Sequence, residues 1–232
     1  RRRLTTRSSA QAAARILTLS KFSKKEIIDH LGIPPGKIEI IYPGVTKLIE
    51  NPQNLEHIAP DPTVLFVGSI LNRRHVPELI AGFANLANRW PTARLVVVGE
   101  NRTCPYIDMD WCRKKTNLGD RIEIYSYVSE DILRDLYSQA QVFAFLSEYE
   151  GFGLTPAEAL TSGIPIVILD TPVAREIYAQ AAIYVSKLDT FLIEKALEQA
   201  LEDKKERLRV LTTAKTVLER YSWTGCANRT LE

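Results

Sequence analysis

The sequence predicts an α/β fold: a doubly wound parallel sheet of the Rossmann-like kind. Short runs rich in Val and Ile recur without polar alternation, as in TVLFVG (63 to 68), ARLVVVG (93 to 99) and PIVILD (165 to 170). A strand covered by helices on both faces reads this way, because neither face meets water. Segments of helical period lie between the runs, and the connections are short. A chain that repeats strand, helix, strand folds into right-handed βαβ units around a mostly parallel sheet.

The elements follow in order. The opening stretch RRRLTTRSSAQAAARI holds Arg1, Arg2, Arg3 and Arg7. It reads either as a solvated tail or as a surface that attracts phosphate or lipid headgroups at long range. ILTLS (16 to 20) and IEIIY (38 to 42) read as strands around the helix SKFSKKEIIDHL, a small α/β unit of their own. Residues 46 to 62, with Pro52, Pro60 and Pro62 and no period, read as a long loop. The main run then starts at TVLFVG. HVPELIAGFANLANRW places Leu79, Ile80, Phe83 and Leu86 on one helix face. After ARLVVVG come RIEIY (121 to 125) and SEDILRDLYSQA, which opens on Ser129 and stacks Ile132, Leu133, Leu136 and Tyr137. VFAFL (142 to 146), PIVILD and AIYV (182 to 185) complete the strands, and Leu188 to Tyr221 reads as two helices. No internal repeat or low-complexity tract appears. In such sheets the ligand sits beyond the carboxyl ends of the strands. Functional residues are therefore expected just after TVLFVG, ARLVVVG, RIEIY and VFAFL.

Bulk properties exclude several classes. A length of 232 residues suits one large domain or one plus an appendage. A net charge of +2 demands no nucleic-acid partner. The three cysteines, Cys104, Cys112 and Cys226, form no CxxC pair and no Cys/His cluster. This argues against a disulfide framework and a structural zinc, and for reduced thiols in the cytoplasm. No apolar run approaches the ~20 residues that cross a bilayer, and no signal peptide is recognisable. The sequence opens without Met and ends in Leu231-Glu232, which resembles a cloning scar, so it reads as part of a longer protein.

The segment SEYEGFGLTPAEALTSGIP, which follows VFAFL, concentrates the chemistry. Glu150 and Glu158 stand with seven residues between them. Gly151 and Gly153 let a ligand approach the backbone closely. Thr155-Pro156 reads as a helix start, Thr155 capping and Pro156 in the first helical position. The free N–H groups and positive dipole end of such a terminus suit a phosphate. Carboxylates accept hydrogen bonds from sugar hydroxyls. Equally, Glu158 fits the last position of a T-x-x-E capping box, and Glu150 fits an exposed loop acid. Spacing alone leaves both readings open.

The stretch EGFGLTPAEAL resembles the E-x7-E signature of the glycosyltransferase family 4 (group 1) enzymes, which have the GT-B architecture. The resemblance runs from about Ile16 to Trp223. ILTLSKFSKKEIIDHLGIPPGKIEIIYPGV resembles the passage into the family's second domain, and VLFVGSILNRRHVPELIAGF its first donor-domain βα unit. YVSEDILRDLYSQAQVFAFLSEYEGFG resembles the base-binding loop and the signature, followed in order by SGIPIVILDTPVAREIYAQAAIYV and a late YSW. The resemblance implies a donor-binding half of a GT-B fold over residues 21–232, and in residues 1–20 a remnant or linker from an absent N-terminal acceptor domain. It implies retaining, metal-independent transfer of a sugar from a UDP- or GDP-sugar to an acceptor hydroxyl, with little activity for this part alone. No cofactor beyond the donor is implied. The acceptor would be a glycan or a lipid-linked glycan met through the absent domain. Peripheral contact with the inner face of a membrane fits such an acceptor. A nucleotide-binding subunit or regulatory module without its own catalysis is the alternative from another class. A dinucleotide enzyme lacks support, because no GxGxxG follows the first strand.

Carried over residue by residue, Glu150 meets hydroxyls of the donor sugar and Glu158 those of the ribose. The backbone at Gly151, Phe152, Gly153, Leu154 and Thr155 meets sugar or diphosphate. Gly68 lets the chain pass close to the ligand, and the backbone of Tyr127 and Val128 reads the base. The family places an Arg just after this glycine and a Lys five residues on, to neutralise the diphosphate. Here Arg74 takes the Lys position with Arg73 beside it, while Ser69 holds the Arg position, a departure for which Arg73 is the candidate substitute. A solvated turn is the bland reading of both arginines. Asn101, Arg102 and Glu176 are weaker candidates near the crevice. His30, His57 and His75 read as structural, with His75 nearest the entrance.

Overall fold

The computed structural model describes residues 2–49 and 60–232. A first unit holds α1 (Arg2–Ala12), β1 (Ile16–Thr18), α2 (Lys21–Leu31) and β2 (Ile38–Ile40). The strands β1 and β2 pair in parallel as a separate two-stranded sheet, Leu17 opposite Glu39. The opening stretch is thus helical, where the sequence reads as a tail. The side chains of residues 5 to 9 stand exposed on it. Ser20 starts α2 by accepting the Ser23 N–H at 3.0 Å, and Gly32 ends it in the left-handed region at φ 65°. Of the long loop expected over 46 to 62, the described flanks carry no helix or strand. His57 lies outside the described residues.

The main unit runs β3 (Thr63–Val67), α3 (Val76–Ala87), β4 (Arg94–Val98), α4 (Met109–Lys114), β5 (Ile122–Tyr125), α5 (Glu130–Gln139), β6 (Ala140–Phe145), α6 (Leu154–Thr161), β7 (Ile166–Leu169), α7 (Pro172–Tyr178), β8 (Ile183–Val185), α8 (Thr190–Glu202), α9 (Lys204–Leu218) and α10 (Trp223–Leu231). All eight runs read as strands are strands. Helices α4 and α10 are additions that the sequence reading lacks. Local chemistry sets several starts. Ser129, Thr171, Asp189, Asp203 and Ser222 each accept a first-turn N–H at the head of their helices.

Six strands form one parallel sheet in the order β5-β4-β3-β6-β7-β8. Every residue of β6 and β7 is buried, as strands covered on both faces must be. Leu65, Phe66, Val97, Phe143 and Ile166 lie fully out of solvent at the centre of the core. Helix α8 packs along α3, and α6 against α9. The strand order reverses between β3 and β6, and in doubly wound sheets the ligand crevice opens at that point, outside the carboxyl ends.

One helix start differs from its sequence reading. Helix α6 begins at Leu154, after Gly153 at φ 96°, and the Thr155 side chain makes no capping bond. A glycine in the left-handed conformation turns the chain into the helix two residues earlier than Thr155 would. Glu158 therefore lies in the second turn and not in a capping box.

Candidate functional site

Two loops meet at the switch point. The first follows β3 and runs from Gly68 through a single 3-10 turn, Asn72–Arg74, into α3. Gly68 stands at φ 145°, and a Cβ there would lie 2.7 Å from Arg74 Nη1. Gly99, after β4, packs so closely on Gly68 that a Cβ would collide with its carbonyl. The strand ends are thus drawn together beneath the crevice. The second loop follows β6 and carries Ser147 to Gly153.

Arg74 joins the two loops. Its Nε donates to Glu150 Oε1 at 2.9 Å, and its Nη1 donates to the Ser69 carbonyl at 3.0 Å. The guanidinium lies 5.1 Å from the centre of the Phe145 ring. Ser147 Oγ donates to the same Glu150 Oε1 at 2.9 Å. The Arg74 and Glu150 side chains are mostly buried, at 15% and 18% exposure.

Neighbouring bonds brace the junction. Arg73 Nε donates to the Tyr149 carbonyl at 3.0 Å, and the Glu148 N–H donates to the Arg73 carbonyl at 2.9 Å. Arg73 is thus partly committed to the loop, and residue 69 contributes its carbonyl to Arg74. His75 turns from the 3-10 turn into α3 at φ 51°, with Nε2 3.0 Å from Glu148 Oε1 and Nδ1 3.6 Å from Glu78 Oε1.

The signature loop rests on aromatic packing. The Phe152 ring is buried and meets Tyr221 edge-on at 4.9 Å, so only its main chain can face a ligand. The buried Tyr178 hydroxyl donates to the Gly153 carbonyl. Beyond Gly153 the first-turn N–H groups of α6 have no intrahelical acceptor, and the Leu154 side chain is exposed. Ser147, Glu150, Gly153, Thr171 and Tyr178 help line a small pocket under this loop. Glu158 is half-buried. Its side chain makes no hydrogen bond or ion pair among the described residues, and burial pushes its carboxyl up.

The remaining candidates are more dispersed. Tyr127 is 81% exposed on the loop after β5, and Val128 beside it packs partly on the core. Asn101 serves its own loop, accepting from the Thr103 N–H and hydroxyl and donating to the Ile107 carbonyl. Arg102 pairs with Glu100. Glu176 is committed elsewhere and caps α2, accepting from the N–H groups of Lys21 and Phe22. His30 pairs with Glu26 at 3.3 Å. Sequence reasoning missed Ser147 and Tyr178. Ser147 stands three residues before Glu150, but a serine at a strand end carries no signal until the loop is folded. Among the described residues no group of three or more His, Cys, Asp or Glu side chains is placed to hold a metal ion. No described helix is long and apolar enough to cross a membrane.

A parallel sheet with a strand-order reversal, and an acid and a guanidinium paired beside it, makes a doubly wound α/β domain with a charged crevice. The model for glycosyl transferases group 1 matches residues 47–217, and the model for Glycosyltransferase Family 4 matches residues 1–47. The chain belongs to the group 1 glycosyl transferases. An uncharacterized glycosyltransferase of Methanocaldococcus jannaschii is 25% identical over 96% of this chain and 60% of its own length. The O-antigen chain mannosyltransferase B of Escherichia coli is 26% identical over 96% of this chain and 61% of its own. The chain thus spans about three-fifths of these relatives. HepE of Anabaena, solved with UDP and glucose, superposes with a TM-score of 0.81 over 99% of this chain and 65% of that one, at 15% identity. That likeness concerns the fold.

Proposed function

We propose that this chain binds a nucleoside diphosphate sugar and forms the donor side of a larger, retaining glycosyltransferase. The observation that carries the reading is the Arg74–Glu150 pair, 2.9 Å apart at the strand-order reversal. Arg74 meets the diphosphate and stabilises the charge that develops on it as the glycosidic bond breaks. The first-turn N–H groups of α6 add to that field without a metal ion. Glu150 orients the sugar, and Glu158 accepts from the ribose hydroxyls. The backbone of Gly68, Gly151, Gly153, Leu154 and Thr155 lines the approach, with Tyr127 and Val128 beside the base. Arg73 offers its terminal guanidinium nitrogens, which make no hydrogen bond among the described residues, where Ser69 supplies no charge.

The likeness to mannosyltransferases makes a mannosyl donor, GDP-linked, the first choice, with UDP-sugars next. The acceptor is a glycan or lipid-linked glycan, bound by a further domain. The separate β1–β2 sheet and the meeting of two family matches at Lys47 favour a boundary near Lys47, later than the residue 20 that the sequence suggests, with the first unit on the side of that domain. Alone, the chain binds donor and transfers little. Full activity in this chain without further sequence would contradict that.

Melting temperature against UDP, GDP, ADP, TDP and their sugars, with chelator present, tests the reading. A ligand at 100 times its Kd adds about 2.7 kcal/mol, a rise of roughly 5 to 10 °C for a domain of this size. A rise with one base, lost on Glu158→Ala, supports the site. No rise with any of them overturns it.

A further inference from the structure

We infer that Ser147 is a positioning residue that sets which oxygen of Glu150 is presented to the donor sugar. The inference rests on the donor reading above and adds a residue to it. Glu150 Oε1 accepts from Ser147 Oγ and from Arg74 Nε, each at 2.9 Å. Oε2 has no partner among the described residues. The carboxylate is thus held by one oxygen and offers the other to the crevice.

The two holders differ in what a ligand does to them. Arg74 is a cation that a diphosphate competes for, and its Nη2 makes no hydrogen bond among the described residues. Ser147 is 7% exposed at the end of β6 and has no such competitor. Its single proton has a second acceptor, the Tyr149 carbonyl at 3.3 Å. The shorter bond to the charged oxygen is the stronger one. When Arg74 turns toward phosphate, Ser147 alone keeps the Glu150 carboxylate from swinging among rotamers. Ordering a loose glutamate on binding would cost affinity for the sugar and not for the nucleotide.

The test compares nucleoside diphosphate with nucleoside diphosphate sugar on the same chain. GDP against GDP-mannose and UDP against UDP-glucose are titrated calorimetrically with wild type, Ser147→Ala, Ser147→Thr and Glu150→Gln. Ser147→Ala should weaken the sugar nucleotide about tenfold, as loss of one bond to a charged group implies, and leave the diphosphate unchanged. Ser147→Thr, which keeps the hydroxyl, should restore the preference. On a Glu150→Gln background Ser147→Ala should add nothing. Equal weakening of both ligands would overturn the inference and leave a structural serine. An unchanged ratio in Ser147→Ala with a wild-type preference for the sugar form would overturn it too, with the donor reading intact. A wild type that binds neither form would remove the donor reading itself, and this inference with it.

Discussion

The Tyr42 hydroxyl donates to Glu176 Oε1 at 2.8 Å, across 134 residues of sequence. The same carboxylate accepts the N–H groups of Lys21 at 2.7 Å and Phe22 at 2.9 Å. One acid on α7 thus caps a helix of the first unit and holds its outgoing strand. Arg220 closes the joint by donating to the carbonyls of Glu176 and Ile177, each at 2.8 Å. Removing a helix cap and a charged hydrogen bond together costs about 2–4 kcal/mol. Glu176→Ala should lose that much in urea unfolding, and Glu176→Gln about half. A loss near zero for both would mean that water replaces the carboxylate.

The same joint has an alkaline signature. Burial first, and then the bond to Glu176, pushes Tyr42 up to about 12 from an ordinary value of 10.0. A tyrosine raised on folding stabilises the folded state while it stays protonated. That contribution is whole below pH 10 and is lost as pH rises through about 12. Tyr42→Phe should therefore flatten part of the fall in stability over this window. Tyr184, also raised to about 12 by burial, should account for part of what remains. An identical slope in Tyr42→Phe would contradict the assignment.

Much of this architecture is legible in the residues because burial on both strand faces leaves a direct mark. PIVILD and VFAFL could hardly be anything but covered strands. Glycine placement was half legible. EGFG announces a tight loop, but which residue caps α6 depends on Gly153 reaching φ 96°, and a nearby Thr-Pro pair mimics a start two residues later. The candidate site was legible only as residue types. That Arg74 and Glu150 touch follows from the β3–β6 adjacency, a property of the whole sheet. Glu176 shows the opposite failure, because its sequence neighbourhood carries no sign of the distant helix that it caps. α10 leaves little mark in the sequence, because it is nine residues long, contains the weak helix formers Thr224 and Gly225, and buries none of its residues.

Arg74 should matter most for the phosphates. Arg74→Ala removes its bonds to Glu150 and Ser69 and its contact with Phe145. A charge-assisted contact of this kind is worth about 1.5–3 kcal/mol, so binding of a nucleoside diphosphate should fall roughly 10- to 100-fold. Arg74→Lys keeps the charge without the planar fork and should fall between. Titration of GDP and UDP decides it, and unchanged affinity in Arg74→Ala would place the diphosphate elsewhere.

Gly153 is constrained twice. Its φ of 96° disfavours any side chain, and a Cβ would collide with the Tyr178 hydroxyl. Gly153→Ala should cost about 1–3 kcal/mol, the range for a strained backbone position. Adding Tyr178→Phe should relieve the collision but not the backbone strain, so the double variant should be more stable than the sum of the two singles implies. Additive losses, read from chemical unfolding, would show that the loop moves aside instead.

Glu158 should trade stability for binding. It is a half-buried carboxyl without a hydrogen bond or ion pair among the described residues, and burial pushes it up. An acid raised on folding favours the folded state while protonated. Its contribution is present below the unfolded value and lost as pH climbs through the raised one. At neutral pH the ionised side chain therefore penalises the unliganded fold. Glu158→Gln keeps the shape and removes the charge, so its melting temperature should exceed wild type at pH 7 and match it in acid. The same variant should gain less from a nucleoside diphosphate sugar, because a neutral amide is a weaker acceptor for ribose hydroxyls than a carboxylate. A lower melting temperature at pH 7 would mean that the carboxylate already has a favourable partner in the free protein, and that it is not held in reserve for a ligand.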